Sequence, residues 1–192
     1  MTDAKKFDPK KRKKLNNPIR LEWIPPALVW SLINPGTGST FVDIGAGTGY
    51  LTNKIGLLAG PAIEIHALDI EPLMIAEMRQ TLPAESTIIP QLMEKDRLPF
   101  ADNSIDGIWL ITLFHELEPP EPLLAEIHRV LRPGCRMLIV DWEKDTAACE
   151  QGPPFAHRIA ADTALQTVTA AGFADVRQVP GFHFHYGILA QA

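Results

Sequence analysis

The residue types with the most chemistry in this 192-residue sequence gather in VDIGAGTGYL, residues 42 to 51, and in the aspartate that ends AIEIHALD, residues 62 to 69. The turn Gly45-Ala46-Gly47-Thr48-Gly49 follows an apolar strand, and glycine has no Cβ to keep a ligand off the backbone where a helix begins. Its spacing is G-x-G-x-G. The dinucleotide fingerprint G-x-G-x-x-G would need glycine at position 50, where the chain carries Tyr50, so a pyrophosphate-binding turn is disfavoured. Asp43, two residues before the first glycine, points the same way: a carboxylate there repels a pyrophosphate and supports a ligand carrying an ammonium group. Asp69, at the end of the second strand, can accept hydrogen bonds from both hydroxyls of a ribose, a role that several nucleotide-like ligands share.

A second group of polar residues falls at later strand ends. His115, in LFHEL, titrates near neutrality and suits a general base; the alternative is a structural hydrogen bond beneath a ligand. Glu116 beside it, and Asp141 with Trp142 at the end of the fifth strand, fall where such a sheet faces a second substrate, although Asp141 could instead cap the following loop. GPPFAHRI adds His157 and Arg158, the latter either an anchor for a carboxylate or phosphate or one half of a surface salt bridge. His183 and His185 share a strand face, but no third ligand is spaced to complete a metal site, and none is expected. Cys135 and Cys149 form neither a CxxC motif nor a disulfide framework.

The elements that must position these groups alternate between short apolar runs and longer stretches of helical spacing, which implies an α/β domain. Strands are expected over 40–45, 62–69, 86–92, 105–112, 135–142, 174–179 and 184–191. Pro72 opens a helix whose Met74, Ile75, Met78 and Leu82 share a face, and Pro83 ends it. A second helix spans about 121–131, with RPG (132–134) turning the chain into the next strand, and a third runs from about Asp162 to Ala171, stopping at Gly172. A further helix begins near Pro26. The last two strands leave no room for a helix between them, so they should pair antiparallel in an otherwise parallel sheet. Residues 143 to 160 form a long irregular insert, and residues 1 to 25 lie outside the alternation; both are candidate lids over the carboxyl end of the sheet.

Composition bounds the function. With 46% hydrophobic residues, the chain suits one compact domain burying roughly 70% of its unfolded surface. No apolar run approaches the roughly 18 residues of a membrane span, and the charged start lacks the apolar core of a signal peptide, so a cytoplasmic protein is expected. Residues 1–14 hold seven Lys/Arg, whereas the remainder holds eleven basic and twenty-one acidic residues. The short basic leader lacks aromatic interleaving and precedes an acidic body, which argues against a nucleic-acid partner.

VDIGAGTG (42–49), HALDIEPLM (66–74), LPFADNSID (98–106), FHEL (114–117) and HRVLRPGCRMLIVDW (128–142) occur in the order and spacing of a known family. The sequence resembles class I S-adenosylmethionine-dependent methyltransferases, especially small bacterial and archaeal type-11-like members similar to the quinone-biosynthesis C-methyltransferases. The resemblance implies a Rossmann-like fold: a seven-stranded, mostly parallel sheet with one antiparallel strand and helices on both faces. It implies S-adenosylmethionine as cofactor, with Asp43 and the Gly45–Gly49 turn, including Ala46, at its methionine portion and Asp69 at its ribose. Ile70, Met74 and Met93 would pack the adenine, and Glu94, or else Asp96, would meet the adenine amino group. His115 and Asp141 would be catalytic; Glu116, Trp142, His157 and Arg158 would face a small-molecule methyl acceptor. RPGC replaces the more usual RPGG at a position away from the site, and LFHEL stands where amino-methylases carry Asn/Asp-Pro-Pro-Tyr, so base or amide methylation is not expected. The alternatives are a cofactor-binding regulatory protein without catalysis and a nucleotide-cofactor oxidoreductase on the same type of sheet.

Overall fold

Seven strands form one sheet in this computed structural model, which describes residues 7–34, 36, 38–146 and 151–192. They are β1 (Thr40–Ile44), β2 (Glu64–Asp69), β3 (Ile88–Leu92), β4 (Ile105–Ile111), β5 (Leu131–Trp142), β6 (Ala174–Val179) and β7 (His185–Gln191). The order across the sheet is β3-β2-β1-β4-β5-β7-β6, with β7 antiparallel to both neighbours and the other pairs parallel. The helices are α1 (Arg20–Trp23), α2 (Pro26–Ile33), α3 (Tyr50–Ala59), α4 (Pro72–Thr81), α5 (Glu121–Val130) and α6 (Ala161–Ala170). This is the Rossmann-like arrangement expected from the sequence.

Side chains alternate across each strand, so every strand feeds two cores. On one face Val42, Ile44, Ile108, Leu110 and Ile139 pack with Leu123, Leu124 and Ile127 of α5 and Ala164 and Val168 of α6. On the other, Phe41, Ala67, Trp109 and Val140 pack with Val29 and Ile33 of α2, Ile55 of α3 and Ile75 and Met78 of α4. Proline stands at the first turn of α2, α4 and α5, where its missing N–H costs no helical bond. Strand β5 begins earlier than expected: Leu131 pairs with Ile105 before Arg132-Pro133-Gly134 bulges out, and pairing resumes between Arg136 and Gly107. The RPG segment therefore interrupts one strand and does not precede it.

Ahead of the sheet, Pro9–Asn16 forms a 3-10 helix laid against α4, where Arg12 pairs with Glu77 and Asn16 hydrogen-bonds the same carboxylate. This basic stretch of the candidate lid is packed from Phe7 onward. Residues 1–6 of the expected 1–25 segment, and residues 147–150 of the 143–160 insert, lie outside the described residues.

Gly49, just before α3, has φ +72°, and a Cβ there would stand 2.7 Å from Cγ of Met78. Gly49→Ala is expected to lower stability by about 1–3 kcal/mol, from left-handed strain and a crowded Met78, measured by urea denaturation.

Candidate active site

The site assembles at the carboxyl ends of β1, β2, β4 and β5, where the parallel strands release their chains on one rim of the sheet. Asp43 leaves β1 on the face shared with Trp109 and is nearly inaccessible; Thr52 of α3 donates to its Oδ2 at 2.6 Å. Burial pushes the Asp43 carboxyl up to about 7, only partly offset by Thr52, the Trp109 indole and the positive charge of Arg20. Asp69 leaves β2 and accepts N–H groups of Gly47 at 2.8 Å and Glu71 at 2.9 Å, which ties the glycine turn to the second strand. Burial also raises Asp69 above its ordinary range despite these two bonds. Each carboxylate oxygen keeps a second lone pair, so Asp69 can still accept hydroxyl donors.

The glycine turn works by close approach. Gly45, Gly47 and Gly49 all have positive φ, and Cβ atoms there would meet Leu113, Leu15 and Met78 at 2.7–2.9 Å. Its N–H groups are largely committed inside the protein: Ala46 to the Leu68 carbonyl, Gly47 to Asp69 and Gly49 to the Ala46 carbonyl. The three N–H groups hold the loop, and absent side chains provide the opening.

On the 3-10 turn after β4, His115 is held twice by Asp141. Its N–H donates to Oδ2 at 2.9 Å, and its ring Nδ1 lies 2.8 Å from Oδ1. Nε2 lies 3.8 Å from the Glu116 carboxylate. Burial opposes charge on His115, but the hydrogen bond and charge of Asp141, with Glu116 adding to them, hold its pKa above the ordinary histidine value. Burial raises Glu116 to about 7, with the charges of Asp141 and Asp69 adding to that effect while His115 and the Phe7 N–H oppose it.

Two segments border this rim. Leu15 covers Gly47, Asn16 meets the Thr48 hydroxyl at 2.5 Å, and Phe7 reaches Glu116. Trp23 packs edge-on against Trp142 and Phe184, and its carbonyl accepts from His183 at 2.8 Å. From the other side, Gly152 backs onto Trp142 and the Arg158 guanidinium lies 5.2 Å from that ring.

A cation fits such a site. Asp43, Asp69, Glu116 and Asp141 act on one another electrostatically, and glycine leaves a cradle beside them. The sequence profile of the family described as "Methyltransferase domain" matches residues 42–139, half of the chain, spanning the glycine turn, Asp69 and His115. The chain belongs to the methyltransferase-domain family. S-adenosylmethionine, with its sulfonium and ammonium charges, is therefore the cofactor, and the acidic cradle matches its chemistry. Over 112 residues, 58% of this chain, the sequence is 32% identical to a ubiquinone/menaquinone biosynthesis C-methyltransferase of Burkholderia mallei. The match covers 46% of that relative, so the chain aligns with less than half of its length. A SAM-dependent methyltransferase from Aquifex aeolicus has a TM-score of 0.88 at 29% identity, covering 96% of this chain and 98% of the other. Human N-acetylserotonin methyltransferase, solved in complex with SAM, shares the fold at TM-score 0.71 and 20% identity, with coverage of 96% and 56%.

Of the residues expected in the site, Asp43, Gly45, Ala46, Gly47, Gly49, Asp69, His115, Glu116 and Asp141 are brought to the rim. Met93 is buried and its N–H donates to the Asp69 carbonyl at 3.0 Å; Met74 is buried and Ile70 packs against the core. Glu94 is exposed, its backbone forming an isolated β-bridge with that of Arg97, whereas Oδ1 of Asp96, two residues on, is buried with no hydrogen-bond partner. The unanswered acceptor in this segment is thus the aspartate. Arg158 is only 1% exposed and donates to the carbonyls of Pro153, Glu143 and Gln151, so it holds its own loop together instead of presenting a free anion anchor. His157 ends a short 3-10 turn, half-buried, and Trp142 anchors both bordering segments. Sequence reasoning missed Asn16, Arg20, Thr52 and Trp109, whose roles rest on contacts distant in the chain. Among the described residues no group of three or more His, Cys, Asp or Glu could hold a metal, and no helix is long and apolar enough to cross a membrane.

Because folded Asp43 holds its proton to about 7 while the ordinary carboxyl ionises near 3.8, the protein without cofactor loses stability as pH rises between those values. Asp43→Asn should remove that loss. In chemical denaturation without cofactor, the variant should gain on the parent from pH 4 to 8, by at most about 4 kcal/mol, while its cofactor affinity falls.

Proposed function

We propose that this chain transfers the methyl group of S-adenosylmethionine to a small-molecule acceptor, with His115 as general base and Asp141 as the residue that orients it. The supporting observation is the doubly held His115 beside the acidic cradle. One bond to the backbone N–H and one to Nδ1 leave Nε2 as the nitrogen free to accept a proton. The cofactor supplies an activated methyl group on a sulfonium. The acceptor's electron pair forms the new bond to methyl carbon as the carbon–sulfur bond breaks, and Nε2 takes the acceptor's proton. Placement and exclusion of water supply much of the remaining acceleration.

Asp69 would receive the ribose hydroxyls, Ile70, Met74 and Met93 would bound the adenine, and the unpaired Oδ1 of Asp96 would accept its amino group. Glu116 and Trp142 would border the acceptor. The Burkholderia relative acts in ubiquinone/menaquinone biosynthesis as a C-methyltransferase, which makes reduced quinones the first acceptors to assay. A carbon nucleophile of that kind must lose a proton, which suits His115. Methyl transfer detected to any acceptor removes the purely regulatory alternative, and binding of S-adenosylmethionine about a hundredfold tighter than NAD removes the oxidoreductase one.

Residues 7–25 would act as a lid over the cofactor. Arg12→Ala, which releases the latch on Glu77, should speed cofactor dissociation about fivefold in stopped-flow measurements, equivalent to about 1 kcal/mol. Unchanged dissociation would mean that the segment only packs.

His115→Ala should fold and bind cofactor nearly as well, with kcat lowered roughly a hundredfold or more. The base must be neutral, so kcat should rise with pH along a limb above the ordinary histidine value of 6.5. Asp141→Asn should move that limb to lower pH while reducing its plateau. A limb that ignores Asp141 would assign His115 to packing.

A further inference from the structure

S-adenosylmethionine ends in a zwitterion, and the site described so far answers only half of it. Asp43 suits the ammonium. The α-carboxylate needs donors or a cation, and three of the five N–H groups of the glycine turn, those of Ala46, Gly47 and Gly49, are already bonded within the protein. A carboxylate brought among Asp43, Asp69 and Glu116 without a positive partner would be repelled.

We infer that Arg20 holds the α-carboxylate of the cofactor. The inference rests on S-adenosylmethionine being the cofactor and adds a residue from outside the sheet. Arg20 opens α1, directly after the 3-10 segment that covers the glycine turn. Its Nη1 donates to the Leu15 carbonyl at 2.8 Å, which binds the guanidinium to the residue lying on Gly47. The positive charge acts on Asp43 and Tyr50, on either side of the turn, and on His185 at the end of β7. A guanidinium has five N–H donors, and the Leu15 carbonyl uses one direction of the fork. Among the described residues no carboxylate lies within salt-bridge distance of Arg20. It is a half-buried cation on which the charge of Asp43 acts through space.

Burial lowers the Arg20 pKa to about 10, with Asp43 and Tyr50 opposing the shift, so the side chain stays charged at neutral pH. A cation partly withdrawn from water without a contact anion is costly, and a planar carboxylate matches the unused edge of the guanidinium. Two other arginines bordering the rim are engaged elsewhere. Arg12 is paired with Glu77, and Arg158 holds three carbonyls and faces the Trp142 ring. Arg20 and Asp43 thus form a split pair, one charge from the covering segment and one from β1, into which a zwitterion inserts with its polarity defined. Cofactor binding would then help close the covering segment, because its α-carboxylate is held by that segment's own side chain.

The test compares S-adenosylmethionine with its decarboxylated form, which lacks only the carboxylate, by calorimetry on the full chain and on Arg20→Gln. Glutamine keeps an amide donor for Leu15 and removes the charge. The parent should bind the intact cofactor at least thirtyfold tighter than the decarboxylated one. Arg20→Gln should reduce that preference to threefold or less, mainly by losing affinity for the intact cofactor. A parent without preference overturns the inference and needs no variant to show it. A variant that loses equal affinity for both ligands also overturns it and leaves Arg20 as a closure residue. If the parent binds neither ligand, nor the demethylated product, the cofactor assignment itself fails, a result distinct from either of these.

Discussion

Four carboxylates, Asp43, Asp69, Glu116 and Asp141, leave four strand ends toward one rim, and folding takes them out of water close enough to repel one another. Like charges confined in this way either hold protons or attract a cation. Asp43 and Glu116 hold theirs to about 7, and Asp69 is raised as well. The rest of the rim is arranged around this tension. Thr52, the Gly47 N–H and the Glu71 N–H each neutralise part of one carboxylate, His115 answers Asp141, and the N-terminal segment brings Arg20 from outside the sheet. A sulfonium cofactor completes the arrangement, and its neutral thioether product relieves the repulsion less, so the same charges that hold the reagent favour release of what remains.

The division of labour between the two faces follows from strand parity. Asp43 and Asp69 sit on the side packed by α2, α3 and α4, whereas Asp141 sits on the side of α5 and α6, with His115 crossing over the end of β4 to meet it. The two aspartates proposed for the cofactor and the proposed base therefore lie on different faces and converge only at the rim, while Ile70 and Met93 pack in the core on the Asp141 side. Substitutions in one core can disturb binding while leaving the His115–Asp141 contact in place.

Much of the fold could be read from the chain because the strands are short apolar runs and the glycine turn has distinctive spacing. The long β5 could not, because Arg132-Pro133-Gly134 reads as a turn, and only pairing across β4 shows that Leu131 already belongs to the strand. The covering segment was harder still. PKKRKKLN has no apolar period, and it is fixed by Glu77 and Thr48, tens of residues later. For the same reason Arg20 gave no local signal, whereas Asp43 and Asp69 announced themselves by their distance from glycine. Arg158 shows the converse: its type suggested a ligand for anions, and only its burial reveals that it binds the carbonyls of its own loop.

The reversed strand β7 has a consequence for biosynthesis. It lies between β5 and β6, although both precede it in the chain. As the polypeptide leaves the ribosome, one edge of β5 stays unpaired until residues 185–191 emerge, and β6 has no sheet to join. Every nascent chain must therefore pass through a stage with a long apolar strand open to other molecules, during which a pause in translation exposes it to aggregation or to capture by chaperones.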